Sequence, residues 1–358
     1  MTTDTTLTDL GWRPFFQQQL SLEDLDHPEQ LRPARVMSVE RSLVGLCFSA
    51  SDGVADAVAE LELSWQQRPH EERPTVGDWV LIDANNKLLR LLDRQSVFKR
   101  KAAGERADTQ LIGANVDTLF IVSSCNADFN LSRLERYLAL ALDAQVTPVV
   151  VLTKADLADA RSYLEDAASL RQHLEVIAVN SLDTTSVDPL RLWCGAGQTV
   201  ALVGSSGVGK STLLNTLIGS SVQITGAIRE DDSKGRHTTT SRSLHALPDG
   251  GLVLDSPGMR ELKLTDVSQG LAAVFADIDD IAERCKFKDC QHSSEPGCAV
   301  IAAIEAGELD ARRLQNYRKL QREDAHNTSS IAERHQRARD WNKKVRAKNA
   351  ATDKRRLE

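Results

Sequence analysis

Two kinds of segment are missing from this sequence and one residue type is scarce, and each of these facts excludes classes of protein. No segment of the 358 residues is long and apolar enough to cross a bilayer. The N-terminal region is polar and acidic and has no apolar core of the kind that marks a secretory signal. Cysteine is scarce, with six residues in the whole chain, and three of these fall within one short window. We therefore expect a cytoplasmic protein with no membrane contact, no disulfide framework and one metal site.

Charge is distributed unevenly along the chain. The net charge is −7, yet the residues from Ala311 to Glu358 include 15 Lys or Arg against 6 Asp or Glu. This leaves 29 of the 44 basic and 45 of the 51 acidic residues for the rest of the chain. A basic tail on an acidic body indicates a localised contact with a polyanion, although a solvated charged helix would explain it equally well. Its last part, residues 331–358, is predicted to become ordered only on a polyanion.

A glycine-rich loop carries the strongest functional signal. Residues Gly204–Ser211 fit the pattern G-x-x-x-x-G-K-[ST] of a phosphate-binding loop, between a predicted strand, Thr199–Val203, and a predicted helix, Ser211–Ile218. Glycines let the backbone N–H groups turn towards phosphate oxygens, and the helix N-terminus adds its positive dipole end. Lys210 would reach the β- and γ-phosphates, and the Ser211 hydroxyl would bind Mg²⁺. The predicted phosphate-binding residues are Gly204, Ser205, Ser206, Gly207, Val208, Gly209, Lys210, Ser211 and Thr212.

A second motif indicates that the nucleotide is a guanine nucleotide. The predicted strand Thr147–Leu152 is followed by Thr-Lys-Ala-Asp, which fits [NT]-K-x-D. The Asp156 carboxylate would accept hydrogen bonds from guanine N1 and N2, a pair of donors that adenine lacks, and the Lys154 stem would pack along the base. Alone the motif is weak, but beside a phosphate-binding loop it predicts GTP rather than ATP. The predicted guanine-binding residues are Thr153, Lys154, Ala155 and Asp156, with Asn180 and Ser181 placed to support the base edge.

Two further motifs stand where GTPases have their switch regions. The sequence Gly-Arg-His-Thr-Thr-Thr, residues 235–240, is predicted to be the first switch, with Thr239 binding Mg²⁺. Residues 255–258 fit D-x-x-G, so that Asp255 would hold Mg²⁺ through water and the Gly258 N–H would face the γ-phosphate. The guanine motif precedes the phosphate-binding loop, which reverses the usual order. A circular permutation explains this order and leaves the sheet and the site intact.

The residue that would orient the attacking water is not the usual glutamine. The position after D-x-x-G is Met259, which has no polar group for this task. His237 is the nearest candidate by sequence, and the alternative is a loop histidine without a catalytic role. We therefore predict Lys210 and His237 as the catalytic residues, with intrinsic hydrolysis that is slow until a partner assists.

Patterning divides the chain into five parts. Residues 1–33 are predicted to be a mobile arm, and residues 34–100 a small antiparallel β-barrel of about five strands, with a third strand near Ala57–Leu63. Strands that alternate with helices over residues 101–264 predict an α/β GTPase domain with a parallel sheet. Residues 265–330 are predicted to be helical and to bind a metal, and residues 331–358 form the basic tail.

The compact spacing Cys-x4-Cys-x-His-x5-Cys predicts a metal centre. Three thiolates and one imidazole suit tetrahedral Zn²⁺, and they leave no position open for water. A single structural zinc is therefore predicted, with Mg²⁺ accompanying GTP elsewhere. The predicted zinc ligands are Cys285, Cys290, His292 and Cys298.

The permuted motif order, the Gly-Arg-His-Thr-Thr segment and the cysteine spacing together resemble the ribosome small-subunit-dependent GTPase A family. The resemblance covers about Ala34–Arg322 and implies an N-terminal OB-fold barrel, a permuted GTPase domain and a C-terminal zinc module. It further implies GTP hydrolysis to GDP stimulated by the small (30S) ribosomal subunit, a late role in its maturation, contacts with 16S rRNA, and a monomeric protein. In that family the histidine that matches His237 is proposed to be catalytic.

Two other functions are compatible with the motifs. In one, the protein is an RNA-docking assembly factor in which GTP only sets affinity and hydrolysis is incidental. In the other, it is a P-loop kinase with a zinc-containing lid, but the guanine motif argues against this. Part of the barrel also departs from the family, because Ala50–Gln67 is acidic where basic residues are usual.

Overall fold

The computed structural model describes residues 6–26, 31–50, 53–101, 109–219, 242–256, 259 and 264–328. Three predicted site residues, His237, Thr239 and Gly258, lie outside these ranges, as does the basic tail 331–358. Their roles remain predictions from the sequence.

The N-terminal third of the chain is mainly antiparallel sheet. The strands β1 to β5 occur in the spatial order β3-β2-β1-β4-β5, and Trp65, Val80 and Ile82 are buried in a core of their own. The third strand begins and ends earlier than predicted, and Leu63 instead starts a short helix. The elements are α1 (Pro14–Gln17), α2 (Leu22–Leu25), β1 (Arg32–Glu40), β2 (Leu43–Ala50), β3 (Gly53–Glu60), α3 (Leu63–Gln66), β4 (Trp79–Ile82), β5 (Leu88–Leu91), and the hairpin β6 (Val97–Lys101) and β7 (Thr109–Ala114).

The central third alternates strands and helices, as the sequence predicts. Strands β10, β9, β8, β11 and β13 lie side by side and parallel, and β12 pairs antiparallel with β13. The carboxyl ends of the parallel strands therefore meet at one edge of the sheet. The elements are β8 (Thr118–Ser124), α4 (Leu131–Asp143), β9 (Thr147–Thr153), α5 (Arg161–Ala168), β10 (Glu175–Ala178), α6 (Thr184–Val187), β11 (Thr199–Val203), α7 (Lys210–Ile218), β12 (Arg242–Ala246) and β13 (Leu252–Asp255).

A single sheet connects these two parts of the chain. Strand β12 pairs with β1 through two residue pairs, Ser38 with Ser243 and Val39 with Arg242. On its other side, β12 pairs with β13 over Ser243–Ala246. The N-terminal strands are thus hydrogen-bonded to the nucleotide-binding sheet, a connection that the sequence did not indicate.

The C-terminal third of the described chain is helical. Helix α11 packs on α4, and its buried Leu314 and Leu320 belong to the same core as the central sheet. The helices are α8 (Ser268–Val274), α9 (Ala276–Ala282), α10 (Ala299–Glu305) and α11 (Ala311–Thr328). Among the described residues, none of the helices has both the length and the apolar character that a membrane span requires.

The N-terminal arm is the main correction to the predicted organisation. Residues 6–26 are packed rather than loose, because Leu10 and Phe16 are buried against the body of the protein. The Trp12 ring lies 4.8 Å from that of Trp79, edge to face. Arg13 forms an ion pair of 2.6 Å with Asp117, directly before β8. These contacts join distant parts of the chain and follow no local period, so the sequence pattern did not reveal them.

Candidate functional site

The phosphate-binding loop connects the end of β11 to the start of α7, as predicted. Gly204 has φ 149°, and a Cβ atom added there would lie 2.2 Å from the Val122 carbonyl oxygen. Gly207 and Gly209 have φ values of 77° and 91°, in the left-handed region that favours glycine. The backbone therefore requires glycine at these positions, and it forms an open cradle ahead of the helix N-terminus.

Two lysine side chains converge on this loop. The Lys210 ammonium donates to the Gly204 carbonyl at 2.9 Å and also to that of Ser205. The Lys154 ammonium donates to the Gly207 carbonyl at 2.9 Å. Because Lys154 belongs to the predicted guanine motif, the structure brings that motif beside the phosphate-binding loop, although Lys154 and Gly207 are 53 positions apart in the sequence.

The Thr153 hydroxyl connects the two motifs more tightly than the sequence suggested. Its side chain is fully buried, and Oγ1 lies 3.0 Å from the Ser123 carbonyl oxygen and 2.6 Å from that of Val208. A hydroxyl has one proton, so the two carbonyls share it. The hydroxyl thereby connects β8, β9 and the phosphate-binding loop. The motif definition accepts Asn or Thr at this position, which was the only sequence signal for this role.

The residues predicted to recognise the base lie at the carboxyl ends of β9 and β10. Asp156 is exposed to solvent, and the adjacent Ala155 N–H donates to the Val179 carbonyl at 3.2 Å. Asn180 uses its side-chain oxygen to accept from the Leu182 N–H at 3.0 Å, so it shapes its own turn. The Asp156 carboxylate is therefore accessible to a ligand.

Ser181 lies behind this edge, next to the loop. It is 6% exposed, and its hydroxyl has no hydrogen-bond partner among the described residues. Its carbonyl accepts from the Thr216 hydroxyl of α7 at 2.6 Å. A buried polar atom without a partner carries a free-energy cost, which a bound polar group at this site would remove. Thr216 was not identified from the sequence, because a threonine inside a helix gives no pattern of its own.

Asp255 ends β13 at the same edge of the sheet. Strands β11 and β13 are parallel neighbours, with Ala201 paired to Leu254, so Asp255 and the start of α7 follow adjacent strands. A carboxylate there and the Ser211 hydroxyl are oxygen ligands, the type that Mg²⁺ prefers. The donors present thus fit a magnesium–nucleotide complex. The other predicted partners, Thr239 and Gly258, lie outside the described residues.

Met259 contributes to core packing and not to hydrolysis. Its side chain is 2% exposed and belongs to the main apolar core. Its N–H donates to the Ser256 carbonyl at 3.0 Å. The position after D-x-x-G therefore contributes to packing, in agreement with the sequence argument that it cannot orient water.

The predicted zinc ligands come together between α9 and α10. The ligand atoms of Cys285, Cys290, His292 and Cys298 all lie within 4.8 Å of one another. His292 Nδ1 is 3.6 Å from Cys285 Sγ and 3.5 Å from Cys298 Sγ, and the two sulfurs are 3.9 Å apart. Tetrahedral zinc with ordinary bond lengths separates its ligand atoms by about 3.5 Å for S and N and about 3.8 Å for two sulfurs. Cys285, His292 and Cys298 therefore have the spacing of a tetrahedral site, and the Cys290 sulfur lies within 4.8 Å of all three.

Protonation suits a metal at two of the four ligands, whereas burial and the neighbouring thiols Cys298 and Cys285 raise the pKa of Cys290 to about 11. Burial lowers the pKa of His292, and the nearby Arg318 lowers it further, so the imidazole is neutral at pH 7. Burial raises the pKa of Cys285, but hydrogen bonds from the Val300 and Ala299 N–H groups bring it below the ordinary value. A neutral imidazole and an accessible thiolate are the forms that bind zinc.

Comparisons with known proteins agree with this geometry. A family model described as RsgA GTPase matches residues 91–265. A second, for the ABC transporter family, matches residues 187–355. That region includes the phosphate-binding loop, a motif found in many kinds of nucleotide-binding protein.

Two curated relatives align over most of the chain. A Vibrio vulnificus protein named "Small ribosomal subunit biogenesis GTPase RsgA 2" is 53% identical over 355 residues, which cover 98% of this chain and 97% of that protein. A Mesorhizobium japonicum protein named "Small ribosomal subunit biogenesis GTPase RsgA" is 52% identical over 329 residues, covering 90% and 91%.

Two solved structures share the fold. YjeQ from Thermotoga maritima has a TM-score of 0.59 at 22% identity, and the match covers 81% of this chain and 97% of that one. YloQ, described as a circularly permuted GTPase, has a TM-score of 0.59 at 25% identity and coverages of 86% and 99%. The permuted order inferred from the motifs is thus the order of a known fold.

Proposed function

The chain belongs to the RsgA GTPase family, and on this premise we propose that it hydrolyses GTP to GDP and phosphate during biogenesis of the small ribosomal subunit. The observation that carries the proposal is the pair of hydrogen bonds from Thr153 and Lys154 to the phosphate-binding loop. A motif that selects guanine is thereby fixed beside a cradle for phosphates. A kinase or an ATPase has no need of this arrangement.

Each part of the site has a role in this reaction. The loop N–H groups and Lys210 hold the phosphates, and the Asp156 carboxylate selects guanine. Mg²⁺, when bound, supplies the positive charge that neutralises the β- and γ-phosphate oxygens. Ser211, Asp255 and Thr239 would hold that ion, and the Gly258 N–H would face the γ-phosphate.

The water-orienting group is assigned to His237. Met259 is buried in the core, so another polar group must position the nucleophile. His237 belongs to the predicted first switch, next to threonines expected to contact Mg²⁺ and γ-phosphate. His237→Ala should leave GTP affinity within a few-fold and remove most of the particle-stimulated turnover. Single-turnover hydrolysis with saturating small subunits measures the chemical step alone, and full stimulation of the variant would exclude His237.

The remaining parts would serve docking. The five N-terminal strands are assigned to an OB-type barrel, on the support of their antiparallel order around β1. The four-ligand cluster is assigned to one structural zinc, because three thiolates and one imidazole would fill a tetrahedral site and three of the four already have its spacing. The partner would be the 30S particle, contacted partly through 16S rRNA, and the protein would act in the cytoplasm as a monomer.

GTP turnover with and without purified small subunits tests the proposal. We expect slow hydrolysis by the free protein, a clear increase with the particle, and no stimulation of a Lys210→Ala variant. ATP in place of GTP should give neither binding nor turnover. If the particle binds in a GTP-dependent manner but leaves the rate unchanged, the second function holds, in which GTP only sets affinity.

A further inference from the structure

A small cleft, the junction cleft, lies where the N-terminal strands, the β6–β7 hairpin and β12 meet. Its volume is about 200 Å³, and its lining includes Arg41, His70, Arg73 and Arg242. No Asp or Glu of the described residues lines it. Arg73 and Arg242 are partly buried, and Arg41 is exposed at the rim. Two partly buried arginines with no carboxylate in the lining are unusual, because proteins ordinarily pair charges that they partly bury.

The arginines of this cleft are not neutralised by the described part of the protein. Arg242 donates only to the Leu111 carbonyl, and Arg73 donates to that of Arg68 at 2.8 Å. Arg41 makes no hydrogen bond or ion pair with the described residues, and it sits at φ 51° in the turn between β1 and β2. A left-handed conformation in a residue other than glycine has a free-energy cost, and such residues concentrate at functional sites.

The excess of positive charge in the cleft is clearest at Arg242. It is partly buried at the start of β12, and burial together with the charge of Arg100 lowers its pKa. Two cations near each other in a partly desolvated place are stabilised when an anion arrives. The remaining lining side chains include Gln66 and Gln110, whose amides can donate further hydrogen bonds.

A second groove lined by arginines differs from this cleft, because its arginines are paired with carboxylates. The groove between α4 and α11 contains Arg136 and Arg312. Arg136 is paired with Glu323 at 2.5 Å, and Arg312 with Glu135 at 3.1 Å. These ion pairs link α4 to α11, whereas the arginines of the junction cleft form no ion pair with the described residues.

We propose that the junction cleft binds a single phosphate group of RNA. Arginine forks match phosphate oxygens in geometry and charge, and they are enriched wherever phosphate is recognised. The volume is below the range of about 300–1,000 Å³ typical of sites that enclose whole small molecules, so one phosphate fits better than a nucleotide. The assignment rests on the proposed function, because the RNA would be that of the small-subunit particle.

The test is the salt dependence of particle binding by the full-length protein. Each phosphate that the protein neutralises adds about 0.7 to 0.9 to the magnitude of the slope of log affinity against log salt concentration. The variant Arg41→Gln/Arg73→Gln should flatten that slope by about 0.7 to 0.9, the contribution of one phosphate. The control Arg161→Gln/Arg171→Gln removes the same charge from the α5 region and should leave the slope nearly unchanged. GTP affinity and turnover without particle should be the same in all three proteins.

The outcomes separate this inference from the proposed function. If the wild-type protein binds no particle, the proposed function is wrong. If it binds and the cleft variant keeps the wild-type slope, the cleft assignment is wrong. A charge reversal, Arg41→Glu, supplies a second variant at an exposed position and should weaken binding further.

Two more measurements identify the anion. Naked 16S rRNA should show the same loss of slope, and a loss seen only with the intact particle would point to an acidic protein group instead and overturn the assignment. Calorimetry with millimolar inorganic phosphate should show no difference between wild type and the cleft variant. Saturable phosphate binding that the variant loses, without any change in particle binding, would mean a free-anion site and would also overturn it.

Discussion

Removing the Glu135 carboxylate should loosen the C-terminal helix from the GTPase body. Glu135 lies on α4 and has no exposed surface. Both of its oxygens accept hydrogen bonds from the Arg312 guanidinium, each at 3.1 Å. It also accepts hydrogen bonds from Arg313 at 3.0 Å and from the Asn316 amide at 2.5 Å, and all three donors belong to α11. One buried carboxylate therefore holds two guanidinium groups and an amide of the facing helix.

The expected size follows from what the substitution leaves behind. In Glu135→Ala, Arg313 stays 8% exposed and keeps only the Asp277 carboxylate as an ionic partner, at 2.7 Å. Breaking a buried ion pair from one side costs about 3–5 kcal/mol. Because Asp277 still compensates Arg313 and Arg312 retains Asp310, we expect the lower end, about 3 kcal/mol.

The same helix pair offers a matched control. Arg136 and Glu323 also link α4 to α11, but their side chains are 24% and 28% exposed. Solvent-accessible pairs contribute about 0.2–1 kcal/mol, so Glu323→Ala should have a small effect. The two substitutions differ in burial and not in the helices that they connect.

Hydrogen exchange of the α11 amides measures this opening directly. A loss of about 3 kcal/mol corresponds to protection that falls by roughly 100-fold, against less than about fivefold for Glu323→Ala. Glu135→Gln should lie between them, because it keeps the shape and one acceptor. Equal effects of Glu135→Ala and Glu323→Ala would refute the reasoning, since burial would then not determine the strength of the contact.

Three further predictions concern the proposed ligands. Asp156→Asn should weaken GTP binding and improve binding of xanthosine triphosphate, whose base replaces a donor with an acceptor; unchanged preference in a nucleotide competition assay would show that Asp156 does not recognise the base. Protein purified without chelator should contain one zinc per chain by elemental analysis, and a chelator should first melt the region around α9 and α10; a protein without zinc would contradict the assignment. Deletion of residues 331–358 should flatten the salt dependence of particle binding, and an unchanged slope would show that the tail is only solvated.

Short-range patterns predicted the local backbone of the phosphate-binding loop, a strand, a glycine turn and a helix. The strand, glycine loop and helix around Lys210 depend on a backbone geometry that only particular residues allow, so the sequence specifies it locally. The four predicted zinc ligands lie within a short segment, and their spacing indicated the convergence that the structure shows. The alternation of strands and helices in the central third was confirmed for the same reason, because each element has its own period.

Contacts between distant segments were not predictable in this way. The N-terminal arm packs through Trp12 and Arg13 onto residues 67 and 104 positions away in the sequence, Trp79 and Asp117. The buried Glu135 has the same sequence signature as any surface glutamate on a helix. Such features depend on the partner surface, which periodicity and propensity do not describe.

The register of β12 connects the proposed RNA contact with the proposed magnesium ligand. Ser243 pairs with Ser38 of β1 on one side and with Asp255 of β13 on the other. Its neighbour Arg242 lines the junction cleft. Among the described residues, β12 pairs with β1 through only two residue pairs, so this is a narrow connection between the N-terminal strands and the nucleotide-binding sheet. An RNA phosphate held by Arg41, Arg73 and Arg242 would fix the N-terminal strands and β12 relative to each other. Arg242 is the neighbour of Ser243, the residue of β12 that pairs with Asp255. Under the proposed function, stimulation by the particle requires a physical link between docking surface and active site, and β12, which pairs with both β1 and β13, would supply it.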